Sequence, residues 1–216
     1  MSKTKSILII DDHQIVFSGI QLIFHTSKLE FDLKNCKNGD DAIYILKKST
    51  FDLIVMDVNL PDTDTYHLLH LILNMIPDQK VLIFSMSSEE MYAKRFLKLG
   101  AKGFLSKQES NDEFVRAVQT VLDGDLYLSK YMMKAMTQDA LVGHSGHVFE
   151  KLSPREFEIM TYFLKGYGSK EVSNITQLHA STIGTYKFKI FEKLGVKNIL
   201  ELQDLARANG VKGHEM

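Results

Sequence analysis

Five short apolar runs punctuate the first half of the chain, at residues 6–10, 31–33, 51–56, 80–84 and 102–105. Between them, apolar residues recur at helical spacing, as in Ile15, Ile20, Leu22 and Ile23 and again in Ala42, Ile43, Ile45 and Leu46. Strands alternating with helices predict βαβ units and a parallel sheet covered on both faces. A run as unbroken as Leu53-Ile54-Val55-Met56 is what a strand buried on both sides needs. Five strands and five helices, the last over 111–122, complete a doubly wound α/β domain near Gly124.

After Gly124-Asp125 a helix is predicted over 129–142, leading into Gly143-His144-Ser145-Gly146-His147, the most linker-like stretch of the chain. His144 and His147 have no further ligands at metal-binding spacing and read as solvated linker residues. From Leu152 the pattern is entirely helical. Ser153-Pro154-Arg155-Glu156 puts Ser at an N-cap, Pro at the first helical position and Glu three residues past the cap, opening a helix that ends at Gly166. Further helices are predicted at 170–176, 181–194 and 199–209, with Gly195 stopping the third. The expected division is a domain at 1–125, a linker helix and flexible linker at 126–150, and a small all-α domain at 151–216.

Composition narrows the field without naming a function. With 216 residues, 44% hydrophobic and 25% charged, the chain suits one large domain or two modest ones and excludes wholesale disorder or a fibrous repeat. The lone Cys36 cannot form an internal disulfide, no apolar run approaches the roughly 18 residues of a membrane span, and the start is too short and too soon acidic for a signal peptide. A cytoplasmic protein with no membrane contact is expected. Residues 1–150 hold 16 Lys and Arg against 20 Asp and Glu, whereas 151–216 hold 10 against 7, so the two parts face different partners.

In an open parallel sheet, ligands bind beyond the carboxyl ends of the strands. The predicted strands lead into Asp11-Asp12, Asp57, Ser85 and, shortly after the fifth, Lys107. Three crowded carboxylates call for a cation, and an all-oxygen set suits Mg²⁺. An ion, an ammonium and a hydroxyl beside a carboxylate are what phosphoryl transfer to that carboxylate requires, and Asp57, at the end of the most buried strand, is the expected acceptor. His13 reads as a surface residue beside the acids.

These residues carry a resemblance. Ile9-Ile10-Asp11-Asp12-His13, Val55-Met56-Asp57-Val58-Asn59-Leu60-Pro61-Asp62, Phe84-Ser85-Met86-Ser87 and Gly100-Ala101-Lys102-Gly103-Phe104-Leu105-Ser106-Lys107 make the first 125 residues similar to a response-regulator receiver domain, a flavodoxin-like five-stranded fold. The resemblance implies that Asp57 accepts phosphate from a sensor histidine kinase and that Asp11, Asp12, Asp57 and the backbone carbonyl of Asn59 hold Mg²⁺. It also implies that Ser85 and Lys107 bind phosphoryl oxygens and that Phe104 is an aromatic switch turning inward on activation. The loop departs from the pattern at Asp62 and Thr65, where the family usually has glycines.

In the helix at 181–194, Ile183, Ile190 and Leu194 fall on one line and form a core stripe, while Ser181, Thr185, Phe188 and Glu192 lie opposite. An exposed Phe between small polar residues and lysines suits the major groove, although a dimer contact or a core edge stays open for it. Residues 152–206 resemble a LuxR-type helix-turn-helix, and the whole chain resembles NarL/FixJ-type response regulators. That implies a homodimer on double-stranded DNA, contacted by Ser181, Thr182, Gly184, Thr185, Lys187, Phe188 and Lys189, with a receiver that is not an enzyme in the metabolic sense. Rival readings are a Mg²⁺-dependent phosphatase and a receiver whose tail binds only protein.

Overall fold

The computed structural model describes residues 4–61, 63–87, 89–134, 137, 148–176 and 178–209. The chain forms two compact units, 1–137 and 138–216.

In the first unit, β1 (Lys5–Ile10), β2 (Phe31–Cys36), β3 (Leu53–Met56), β4 (Val81–Ser85) and β5 (Gly103–Ser106) form one sheet in the order β2-β1-β3-β4-β5, every pairing parallel. The connecting helices are α1 (Gln14–Thr26), α2 (Gly39–Leu46), α3 (Thr65–Met75), α4 (Glu89–Leu99) and α5 (Asn111–Asp123). Successive strand residues point to opposite faces, so each strand feeds two cores. Leu8, Ile10, Ile54, Met56, Val81, Ile83 and Phe104 join one cluster; Ile7, Ile9, Leu53, Val55, Leu82 and Leu105 join the other. This is why the apolar runs lack alternation. The strand order reverses between β1 and β3, and that switch point is where such a sheet opens a crevice.

One helix and one strand differ from expectation. Ile15 and Leu22, though at helical spacing with Ile20 and Ile23, are 78% and 63% exposed; α1 buries Ile20 and Phe24 instead. β2 runs on to Cys36 because it is an edge strand whose alternating Asp32, Lys34 and exposed backbone conceal it from a search for apolar runs.

The connector expected at 126–150 is divided between the units. The Tyr127 N–H donates to the Lys102 carbonyl (2.8 Å), and Tyr127 and Met132 are buried in the two cores of the first unit. A helical turn begins at residue 130, with the Met132 N–H on Ser129 Oγ (3.0 Å). Most of the helix expected over 129–142, with His144 and His147 beyond it, lies outside the described residues. Val148–Lys151 forms a 3₁₀ turn that buries Phe149 within the second unit.

The second unit holds α6 (Pro154–Leu164), α7 (Ser169–Thr176), α8 (Ala180–Leu194) and α9 (Ile199–Ala208). The capping box is reciprocal: the Ser153 N–H donates to Glu156 Oε2 (2.7 Å) and the Glu156 N–H to Ser153 Oγ (3.3 Å). Glu156 Oε2 also accepts from Lys193 Nζ (2.6 Å), which ties the end of α8 to the start of α6. Gly166 (φ 89°) and Gly195 (φ 69°) take the left-handed conformation that ends α6 and α8. Among the described residues, no helix is long and apolar enough to cross a membrane.

Candidate functional site

The strand ends at the switch point assemble one pocket. Asp11 and Asp57 follow β1 and β3 directly, and the neighbouring chains are stitched by Asp11 N–H to the Cys36 carbonyl (3.0 Å) and Asp57 N–H to the Ile10 carbonyl (2.9 Å). The two carboxylates are 2% and 4% exposed. Buried charges of one sign need partners, and the partners are present. Ser85, the last residue of β4, donates through Oγ to Asp57 Oδ1 (2.5 Å). Lys107, immediately past β5, bridges Asp57 Oδ2 (2.7 Å) and Asp11 Oδ2 (2.6 Å) through Nζ. Burial opposes the Lys107 charge, but its hydrogen bonds to Asp11 and Asp57 outweigh that and hold the ammonium above its ordinary value.

Four residues cluster as metal-ligand candidates: donor atoms of Asp11, Asp12, His13 and Asp57 all lie within 4.8 Å of one another. Asp12 Oδ1 is buried and meets no hydrogen-bond donor in ideal geometry. A mostly carboxylate set fits a hard divalent cation. His13, weighed as a surface residue, is indeed 61% exposed, but its Nδ1 lies 2.8 Å from Asp12 Oδ1.

The loop after β3 overhangs Asp57. Asn59 N–H donates to Asp57 Oδ1 (3.2 Å), and its side-chain amide donates to Ser87 Oγ (3.0 Å). The turn is held without the usual glycines: the Thr65 hydroxyl donates to the Val58 carbonyl (3.0 Å), Asp64 caps α3, and Thr65 is not among the positive-φ residues. Thr63 accepts from the Gly39 N–H (3.1 Å), a tie to α2 that no spacing rule reveals. Asp62 lies outside the described residues. Phe104, expected to turn inward on activation, lies inward: it is buried, 6.4 Å from the Phe96 ring, with the Ser85 hydroxyl on Asp57 itself.

In the second unit, α8 buries Ile183, Ile190 and Leu194, and exposes Ser181, Gly184, Thr185, Phe188 and Lys189. Phe188 is 68% exposed, so the core-edge alternative for it falls. Thr182 and Lys187 are half-buried. Lys187 Nζ lies over the Phe163 and Phe191 rings, 5.5 and 5.6 Å from their centroids, so its charge is turned toward aromatic faces rather than away from the unit. A Cβ at Gly184 would meet nothing within 4 Å, so packing does not demand glycine there. His179 stands at the N-cap without a capping bond of its own; its Nδ1 pairs with Ser181 Oγ (2.8 Å).

Residues 7–119 match the response regulator receiver domain family, and 150–206 match the LuxR family of bacterial regulatory proteins. The chain is 31% identical to the Fimbriae Z protein of Salmonella typhimurium, covering 96% of this chain and 98% of that one. It is 29% identical to the oxygen regulatory protein NreC of Staphylococcus carnosus, over 93% and 95% of the two chains. Among solved structures it resembles RcsB of Salmonella enterica serovar Typhimurium bound to promoter rprA in the presence of phosphomimetic BeF3−, with TM-score 0.71 at 21% identity, over 94% of this chain and 98% of that one. That likeness concerns the fold. Receiver pocket and helical unit thus occur in one chain in the order that these relatives share, and the chain belongs to the response regulators, with a receiver domain followed by a LuxR-family domain.

Proposed function

We propose that this protein is a phosphorylation-controlled, DNA-binding transcription regulator of the cytoplasm, in which Asp57 takes a phosphoryl group from a sensor histidine kinase. The observation that carries this reading is the pair of contacts on Asp57, whose two oxygens meet the Ser85 hydroxyl and the Lys107 ammonium. A carboxylate oxygen of Asp57 attacks phosphorus, the P–N bond of phosphohistidine breaks, and the imidazole leaves with the electron pair. Asp11, Asp12, Asp57 and the Asn59 carbonyl would hold Mg²⁺, which would supply positive charge against the developing phosphoryl charge. Ser85 and Lys107 then exchange carboxylate oxygens for phosphoryl oxygens, which anchors β4 and β5 to the modified residue. Phosphate favours the inward arrangement of Ser85 and Phe104 and so shifts a population that the sequence already permits.

Residues 126–150 connect the receiver to the DNA-binding unit, and the phosphorylated protein acts as a homodimer. The receiver turns over no metabolite. Incubation with a small acyl phosphate and Mg²⁺ tests the assignment: the wild-type chain takes up label and Asp57→Asn takes up none. Label at an unchanged level in Asp57→Asn would overturn it.

A further inference from the structure

We propose that residues 126–133 are a strap of the receiver, seated along the β5 edge when Phe104 lies inward and displaced when it swings out. Phosphate on Asp57 then tightens the segment that leads to the second unit; this rests on reading Asp57 as the phosphate acceptor. β5 is the last strand of the sheet, and a bare edge would offer unpaired backbone groups. The chain returns to cover it: Tyr127 forms a parallel bridge with Gly103, and its N–H donates to the Lys102 carbonyl (2.8 Å). Gly103 permits that close approach, since a Cβ there would stand 2.9 Å from Leu82 Cδ1 and 3.0 Å from Tyr127 Cβ.

The strap is pinned at both ends. The Tyr127 hydroxyl donates to Glu113 of α5, whose carboxylate also accepts from Arg116 Nε (3.1 Å), and the Arg116 guanidinium lies 5.7 Å from the Tyr127 ring centroid. At the other end Ser129 is buried, its Oγ accepts from the Met132 N–H (3.0 Å), and Met132 sinks into the cluster that holds Phe96 and Phe104. Leu128, between them, is half-buried against the same cluster. One residue past the Gly103–Tyr127 bridge, parallel register sets Leu128 level with Phe104. β4 closes the other side of β5, so a Phe104 ring leaving the cluster goes toward the edge, where the strap lies. Close-packed groups cannot share that space. The inward ring therefore admits the strap, and phosphate, by favouring the inward ring, tightens it.

Amide hydrogen exchange of the full-length chain, with and without a small acyl phosphate and Mg²⁺, reads the strap directly, with label on Asp57 measured in the same samples. The Tyr127 and Met132 amides are expected to exchange at least about fivefold more slowly in the labelled protein. Leu128→Ala keeps the Tyr127 seat but opens space beside Phe104, so the phosphate effect should fall below about twofold. Tyr127→Phe, which loses only the hydroxyl on Glu113, should speed exchange of these amides about threefold without phosphate. Equal exchange with and without label in the wild type, a full phosphate effect in Leu128→Ala, or exchange in Tyr127→Phe as slow as in the wild type overturns the strap and leaves Asp57 as the acceptor. A wild-type chain that takes up no label removes the acceptor reading, and the proposal falls with it.

Discussion

At the scale of single residues, the receiver pocket is a problem in buried charge. Asp11 and Asp57 are withdrawn from water, and Lys107, whose side chain is 9% exposed, is the ammonium that bridges them. Removing one partner of a buried ionic group leaves uncompensated charge and costs about 3–5 kcal/mol. Lys107→Ala is therefore expected to lose about 3 kcal/mol of receiver stability in metal-free urea unfolding, and to regain much of it when Mg²⁺ is added, because a ligand bound only by the folded state stabilises it. Unchanged stability with chelator present would show that the two carboxylates do not depend on the ammonium. Most of this pocket was legible in the sequence, since Asp11, Asp57 and Ser85 directly follow apolar runs, Lys107 comes shortly after one, and strand ends in such a sheet share one edge. His13, read as a surface residue, is exposed, but its approach to Asp12 was not legible, because nothing in the spacing of residues reports which way a ring at a helix start will turn.

At the scale of elements, legibility followed the strength of local signals. β1, β3, β4 and β5 stood out because both faces are buried and no polar residue interrupts them, and α6 because Ser153, Pro154 and Glu156 each specify a different position of one helix start. The packing of Tyr127 and Met132 on the first unit was hidden, as one bridge and two buried side chains leave no period to detect. The link from Lys193 to Glu156 was hidden likewise, since 37 residues separate them. Its energetics are readable in the structure. Burial alone would raise the Glu156 pKa, but the hydrogen bonds from Lys193 and Ser153 prevail and hold it below the ordinary 4.5. A carboxyl with a depressed folded pKa contributes stability that is present above its unfolded pKa and lost as pH falls through the folded one. The second unit is thus expected to lose stability as pH drops below about 4.5, and Glu156→Gln should flatten that part of its stability profile. Equal slopes for the two proteins in acid, read by denaturant unfolding at a series of pH values, would exclude Glu156 as the source.

At the scale of the whole molecule, charge is divided along the chain: 16 Lys and Arg against 20 Asp and Glu in residues 1–150, and 10 against 7 in residues 151–216. The acidic part holds the proposed phosphate-accepting pocket, and the basic part presents α8, the proposed nucleic-acid surface. On that surface, reading bases and anchoring phosphates are separable tasks, because Thr185, Phe188 and Lys189 are exposed whereas Lys187 leans over two rings. Thr185→Ala and Phe188→Ala are expected to relax sequence preference, each base contact being worth about 1–3 kcal/mol. Lys189→Ala should weaken specific and non-specific binding alike and lower the salt slope by about one unit. Lys187→Ala, by contrast, should show itself mainly as lost stability, since the contacts it gives up are with Phe163 and Phe191. One helix reads only a few base pairs, so a dimer on two half-sites about one helical turn apart is required for useful specificity. Footprinting and salt-dependent binding of the phosphorylated chain decide the matter: protection of a lone short half-site, or Thr185 and Phe188 variants with intact sequence preference, would move the reading head off α8.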